Sequence, residues 1–458
     1  LIHFHNYKRI YRPFHLCIFA LISALPLYSN AKDPDSGLVA QPLVFFQTPQ
    51  SLKDLLQQVM RAHPLVKSQI HSMDAAGLDI LIAQQAYWPT PSIALERVQS
   101  PSPDPAYAGG PQVLTFRLQQ PLWTGGRLTA QSNKALANQS IESARLEEVQ
   151  QTVALKTLQA WAEVVSAQRQ QSALKRSEEI QTQLLNKMAR RVAQGLSSRS
   201  EAHYAGLRLQ QVQQELRHAQ QQESLAWIRL KQWVPEAQTA NESVAIQHEP
   251  TAVFETLDLA QNLTRMDVSQ WESLSVARSP VMRRLNGVLQ LQMAELAEKR
   301  AALQPEVYVR AEHQRGNYAY ANAPPVNRLF VGLSANTGAG MSLAHQLAAI
   351  QSKRDGTLEE LAAAQRNVTE AIQTDYVNAN ARQSKAADLR LNLESSQELQ
   401  AAWERQFTNG KKTWIDVMNA ARETSQAELA WIDNEMAILQ SHWRLQIQAY
   451  GSDLRLTP

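Results

Sequence analysis

Between Leu122 and Val234 the chain contains no proline, and that run limits the fold more than any other feature. Proline inside a helix removes a hydrogen bond and clashes with the preceding turn, so helix is possible throughout. The run opens in "QQPLWTGGR" (Gln119–Arg127). Just before it, "VLTFRL" alternates with the period of a strand, placing Leu114, Phe116 and Leu118 on one face and Thr115 and Arg117 on the other. After Gly126 the sequence is crowded with Ala, Gln, Leu and Glu, which favour helix. A strand therefore feeds directly into a helix from near Gly126 to Ala193, roughly 67 residues or ~100 Å at ~1.5 Å each. Gly195 reads as the C-cap that lets the chain reverse, and a second helix returns to about Val234. Leu146, Val149, Val153, Ala160, Val164, Ala167 and Leu174 share one heptad-like stripe. Helices of this length must pack side by side. A soluble coiled-coil hairpin satisfies the same periodicity.

The pattern occurs twice. "AHPLV" around Pro64 recurs as "RSPVM" around Pro280, and Pro89 recurs at Pro305, both 216 residues on. "LTFRL" (Leu114–Leu118) recurs as "LFVGL" (Leu329–Leu333), Gly125 as Gly340, and "RVAQG" ending at Gly195 as "QFTNG" ending at Gly410, each 215 residues on. One residue of slippage over the whole match indicates duplication, at a period too long for an ordinary solenoid. The expected fold is mainly α with a small membrane β component, in duplicated helix–β-hairpin–helix halves. The first repeat is expected over 51–234, with its β-hairpin at 90–123. The second is expected over 280–451, with its hairpin at 306–338. A linker or equatorial segment spans 235–279, and short tails occupy 32–50 and 452–458.

Residues 1–31 read as an export signal: "YKRIYRPFH" supplies basic residues, "LCIFALISALPLY" the apolar run, and Ser29 and Ala31 the small residues before a cut at Lys32. Of the 45 basic residues, three (Lys8, Arg9, Arg12) lie in that segment, so the remainder balances the 42 acidic ones. Near-neutral charge gives no support to a nucleic-acid partner. Cys17, the single cysteine, lies inside the signal and follows "FHL", which is not a lipidation box. The mature chain is therefore expected to hold no disulfide and no lipid anchor.

The strands separate the remaining readings. Each could reach the ~9–11 residues that a tilted membrane strand needs. Two hairpins give four strands, which cannot close a barrel, and an open edge in lipid leaves backbone groups unsatisfied. Known barrels begin at about eight strands. If these strands enter a membrane, several chains must share one barrel.

At this point the chain resembles the TolC family of outer-membrane export channels, from about Ser51 to Gly451. "AHP" (Ala62–Pro64), its repeat at Pro280, "QQPLWTGGR", "RVAQG" and above all "FTNGKKTWIDVMNA" (Phe407–Ala420) carry the resemblance. It implies a homotrimer whose protomers each give four strands to a 12-stranded outer-membrane β-barrel. That barrel would be continuous with an α-helical barrel through the periplasm. It implies outer-membrane lipids around the barrel, and as partners a periplasmic adaptor (membrane fusion protein) and an inner-membrane ABC transporter or proton-driven pump.

The resemblance also assigns roles. Aspartates ring the periplasmic entrance of the family's tunnel; Asp416 matches the first and Asn419 stands where the second would be. Lys412 replaces an arginine and Phe407 a tyrosine in the links that hold the entrance shut. The turns at Gly195 and Gly410 would be where the adaptor docks, among Arg190, Arg191, Arg199, Lys411 and Lys412. Read from spacing alone, "TWID" (Thr413–Asp416) and "SRSE" (Ser198–Glu201) are helix N-caps, and helix-end cations are solvated charge. Gly125, Gly126 and Gly340 mark the strand-to-helix junctions. Trp88, Trp123 and Tyr318 or Tyr320 suit a membrane boundary.

No catalytic pattern is present. The histidines, His203 and His218 included, lack metal-ligand spacing, and "TGAGMS" (Thr337–Ser342) lacks the lysine of a phosphate loop. The expectation is a passive duct, not an enzyme, with no cofactor or metal. It would form the exit of a tripartite exporter, for type I protein secretion in first place and multidrug or metal efflux in second. A pore-less periplasmic coiled-coil scaffold is the reading from another class.

Overall fold

Two helices of 67 and 66 residues, each about 100 Å long, dominate the computed structural model. It describes residues 52–99, 105–234, 267–335 and 342–451, all within the compact unit Phe45–Pro458. The other unit, Leu1–Val44, lies outside the described residues. So do the expected signal, both tails, positions 235–266 and Gly340.

The first half runs α1 (Leu52–Ala62), α2 (Pro64–Gln85), β1 (Thr90–Arg97), β2 (Gln112–Trp123), α3 (Arg127–Ala193) and α4 (Arg199–Trp233). The second runs α5 (Val268–Arg278), α6 (Pro280–Ala301), β3 (Glu306–Arg315), β4 (Val326–Ser334), α7 (Leu343–Thr408) and α8 (Trp414–Tyr450). Helix α5 falls inside the 235–279 segment that sequence reading set aside as linker. It is the counterpart of α1, 216 residues later, and Asp267 and Gln270 start it with a reciprocal capping box. The breaks between α1 and α2 and between α5 and α6 are also equivalent. Pro64 and Pro280 occupy the first helical position, capped by His63 Nδ1 and Ser279 Oγ respectively.

The long helices hold together along a small-residue seam. Helix α3 buries Ala130, Ala135, Ala137, Ala144, Ala154, Ala160, Ala162, Ala167 and Ala173 against its neighbours. It packs against α2, α4, α6 and α8. Of the heptad-like stripe, Val153, Ala160, Val164, Ala167 and Leu174 are buried. Leu146 and Val149 are partly buried against the largest cluster, which joins α1, α3, α4 and α8 through Leu56, Val59, Leu158, Leu230, Trp443 and Ile447. In the second half α5 sets Trp271 against Ile372 and Ala379 of α7 and Leu445 of α8.

The strands form one antiparallel sheet in the order β1-β2-β3-β4. The central pairing, β2 with β3, joins the two halves (Leu114↔Arg315, Phe116↔His313). Strands β1 and β4 are edges. The β2 register shifts between Pro121 and Trp123, beyond the last β1 pair at Thr90↔Gln119. A proline lacking its N–H belongs at such a bulge.

Candidate functional site

The sheet has two unlike faces, and its register defines both. Ile93, Phe116, Ala311 and Leu329 belong to one face, with Leu95, Leu118, Val309 and Val331 continuing it and the hydrogen-bonded His313 and Asn327 as its polar members. None of the described residues covers that surface: Ile93, Leu329 and Val331 are 69, 73 and 75% exposed. Contiguous apolar area of this kind marks a surface made for another apolar phase or partner.

The opposite face is polar. Arg117, Glu312 and Arg328 lie directly across β2, β3 and β4 from one another. Glu312 accepts from Arg117 Nε at 3.2 Å, and Arg328 and Arg310 stand 3.8 and 3.7 Å from its oxygens. Arg310 also lies 4.5 Å over the ring of Phe330. Sequence reading placed Arg117 on the polar face, but the arginine group was not found, because it depends on a register between strands far apart in sequence.

The strands enter the helices through an anchored junction. Gly125 and Gly126 both have positive φ, 60° and 90°, a backbone that glycine adopts without steric cost. A side chain at Gly125 would meet Gln304, with the nearest atom 2.6 Å away. Arg127 opens α3 and binds the Glu306 carboxylate through both Nε and Nη2, fastening the first junction to the start of β3. Trp88 and Trp123 are exposed beside it.

At the far end of the long helices the two turns are built alike. Leu196 N donates to Arg191 O (2.9 Å) and Gly195 N to Val192 O (3.0 Å); Lys411 N donates to Gln406 O (2.9 Å) and Gly410 N to Phe407 O (3.0 Å). With φ of 72° and 73° at the glycines, both are Schellman caps. Capping boxes Ser198–Glu201 and Thr413–Asp416 then start α4 and α8.

The residues singled out near Gly410 do gather there. Asp416 Oδ2 accepts from Thr413 N (3.0 Å) and Thr413 Oγ1 (2.7 Å). The hydroxyl bond first, then the backbone bond, hold its carboxyl below the usual value. Asn419 is half-buried one turn further along α8. Lys412 reaches over the ring of Trp403 at 4.2 Å. Phe407 meets Trp414 at 5.2 Å, and Trp414 is buried among Leu184, Met188, Val417 and Met418. Sequence reading missed Trp403 and Trp414 as the platform of this tip. Exposed Leu196 and Ile415 flank the two turns.

Among the described residues no helix is long and apolar enough to cross a membrane, and no group of three or more metal-ligating side chains occurs.

Residues 55–234 match the sequence profile of a family described as "outer membrane efflux protein". No curated protein matches the chain in sequence. Solved structures show the fold. The outer membrane channel CmeC of Campylobacter jejuni is similar at TM-score 0.71 and 12% identity, covering 93% of this chain and 94% of its own. The outer membrane protein VceC of Vibrio cholerae gives 0.70 and 12%, covering 87% and 96%. The open state of the MtrE outer membrane channel of Neisseria gonorrhoeae gives 0.67 and 13%, covering 93% and 98%.

Proposed function

We propose that this chain, which matches the outer membrane efflux protein family through residues 55–234, is the passive exit duct of a tripartite exporter. On this reading it is an outer-membrane channel subunit and not an enzyme. One observation carries the reading: an open four-stranded sheet with one largely apolar face runs through Gly125 and Gly126 straight into a helix of 67 residues. Lipid is the apolar phase that suits that face. The unpaired edges of β1 and β4 demand neighbours, because no edge survives in hydrocarbon. Three chains supply them in a shared barrel, and energy comes from an inner-membrane pump through a periplasmic adaptor. A pore-less scaffold would have no use for that apolar face.

For cargo we infer protein export of the type I kind, supported by the unsuited surroundings of Cys17 for lipid attachment. The second reading is multidrug or metal efflux, favoured by the family's description. In either, Asp416 and Asn419 ring the entrance, Lys412 and Phe407 contribute to its closure, and the turns at Gly195 and Gly410 receive the adaptor.

Membrane fractionation and bilayer recording test the duct. A heat-sensitive trimer in the outer membrane that conducts in planar bilayers is expected; recovery wholly in the soluble fraction would overturn it. The genes beside this one decide the cargo, an ABC exporter with a large secreted protein supporting the first reading and a resistance pump the second.

A further inference from the structure

We propose that the polar face of the sheet carries an anion-preferring collar centred on Glu312, which attracts multivalent oxyanions into the outer part of the duct. This rests on the duct reading, since the face opposite the lipid-facing one lines the lumen.

Arg117, Arg310 and Arg328 surround the single carboxylate of Glu312. Further along the same face Glu96 accepts from Tyr318 Oη at 2.9 Å, and at the base of β3 Glu306 is committed to Arg127. The four-residue cluster is cationic by two charges per chain, and the face by one once Glu96 is counted, repeated in each subunit of the barrel. The charges are also placed to act. Glu312 is only 9% exposed at its side chain, whereas Arg117 and Arg328 are 44 and 42% exposed. The carboxylate is hidden and the guanidinium edges are presented. Phe330 supports Arg310 from below, and Gln314 Oε1 accepts from Arg328 Nη1 at 2.7 Å, so the group is held in a fixed shape.

Rings of arginine or lysine give pores a preference for anions. Low-dielectric walls focus such fields, and guanidinium forks match the oxygens of phosphate, sulfate or carboxylate. The collar would attract polyanionic cargo near the exit and disfavour cations there, opposite in sign to an acidic entrance.

The test uses the full-length trimer in planar bilayers under a KCl gradient, with inositol hexakisphosphate added to the barrel side. Wild type is expected to be blocked by the probe. R117Q/R328Q keeps Arg310 on Glu312, so the carboxylate stays paired. It is expected to shift the reversal potential toward cations and raise the half-blocking concentration about tenfold, the loss of a charge-assisted contact. R328K keeps the charge and should retain most of the block; R328Q alone should act as the double variant does, to a smaller degree, if the double variant fails to assemble. Conductance retained with selectivity and block unchanged in the glutamine variants overturns the collar. So does selectivity that follows D416N instead. A wild-type trimer that conducts nothing overturns the duct reading itself, a result distinct from either.

Discussion

Arg191 holds its guanidinium 4.9 Å from the centre of the Phe407 ring. The last turn of α3 is thereby clamped to the last turn of α7, and the two hairpin tips are one packed object. Truncating the ring removes the cation–π contact and the packing on Trp414 together. F407A is expected to cost about 2 kcal/mol, less than a fully buried phenylalanine would. Faster amide exchange over 190–196 and 405–414 would show the tips loosening; unchanged protection would mean that Phe407 is not the clasp.

Asp416 is bound to Thr413 by hydroxyl and backbone together. Its folded carboxyl is lowered, so its contribution is present above the ordinary carboxylate range and lost as pH falls through the lowered value. D416N should remove that acid-dependent part, seen as a flatter melting curve between about pH 5 and 3. T413A should cost about 1 kcal/mol at neutral pH. D416A is further expected to weaken cation block of the reconstituted channel; an unaltered block would leave capping as its whole role.

His442 is buried in α8, where loss of solvation lowers its pKa to about 4. Its neutral form is the folded form. Stability is then complete above about pH 6.5 and falls as pH drops toward 4, by about 3 kcal/mol in all. H442Q should flatten the melting temperature over that window, and a slope as steep as wild type would assign the acid sensitivity elsewhere.

Asp375 of α7 is buried, and burial raises its carboxyl despite Arg444 at 3.2 Å and Gln448 at 3.3 Å. Removing Arg444 strands the carboxylate. R444M is expected to lose about 1–3 kcal/mol, toward the lower end because Arg444 is largely solvated. D375N should restore most of the loss in the R444M background. Failure of that rescue in a double-mutant cycle would show the two residues to be uncoupled.

Gly125 and Gly126 should respond differently to alanine. Both need positive φ, at about 1–2 kcal/mol for a non-glycine residue. At Gly125 the new Cβ also collides with Gln304, while at Gly126 it meets open space. G125A should reduce the yield of folded protein well below that of G126A. Equal yields would remove the packing role of the junction.

Local chemistry made half of this architecture legible in advance. The turns at Gly195 and Gly410 announce themselves because a Schellman cap and a capping box each lie within a few consecutive residues. The length of α3 was readable because proline is excluded from it. The Arg191–Phe407 clasp was not, since it depends on how two hairpins meet. The Arg117–Glu312 pair was hidden for the same reason, being fixed by a register between strands from different halves. Helix α5 carried one usable signal, Asp267 with Gln270 three residues later, in a stretch too short for periodicity to stand out. The apolar and polar faces of the sheet followed from simple alternation.

The pairing of β2 with β3 sets the order of assembly. Leu114 and Arg315 are 201 positions apart in the chain, so the sheet closes a long loop. Contacts of such separation form slowly, because closure entropy comes before any reward. The first hairpin must wait, with its inner edge uncovered, until the second has emerged. A half-made chain thus has no completed sheet, and the central pairing is deferred until the second hairpin is available.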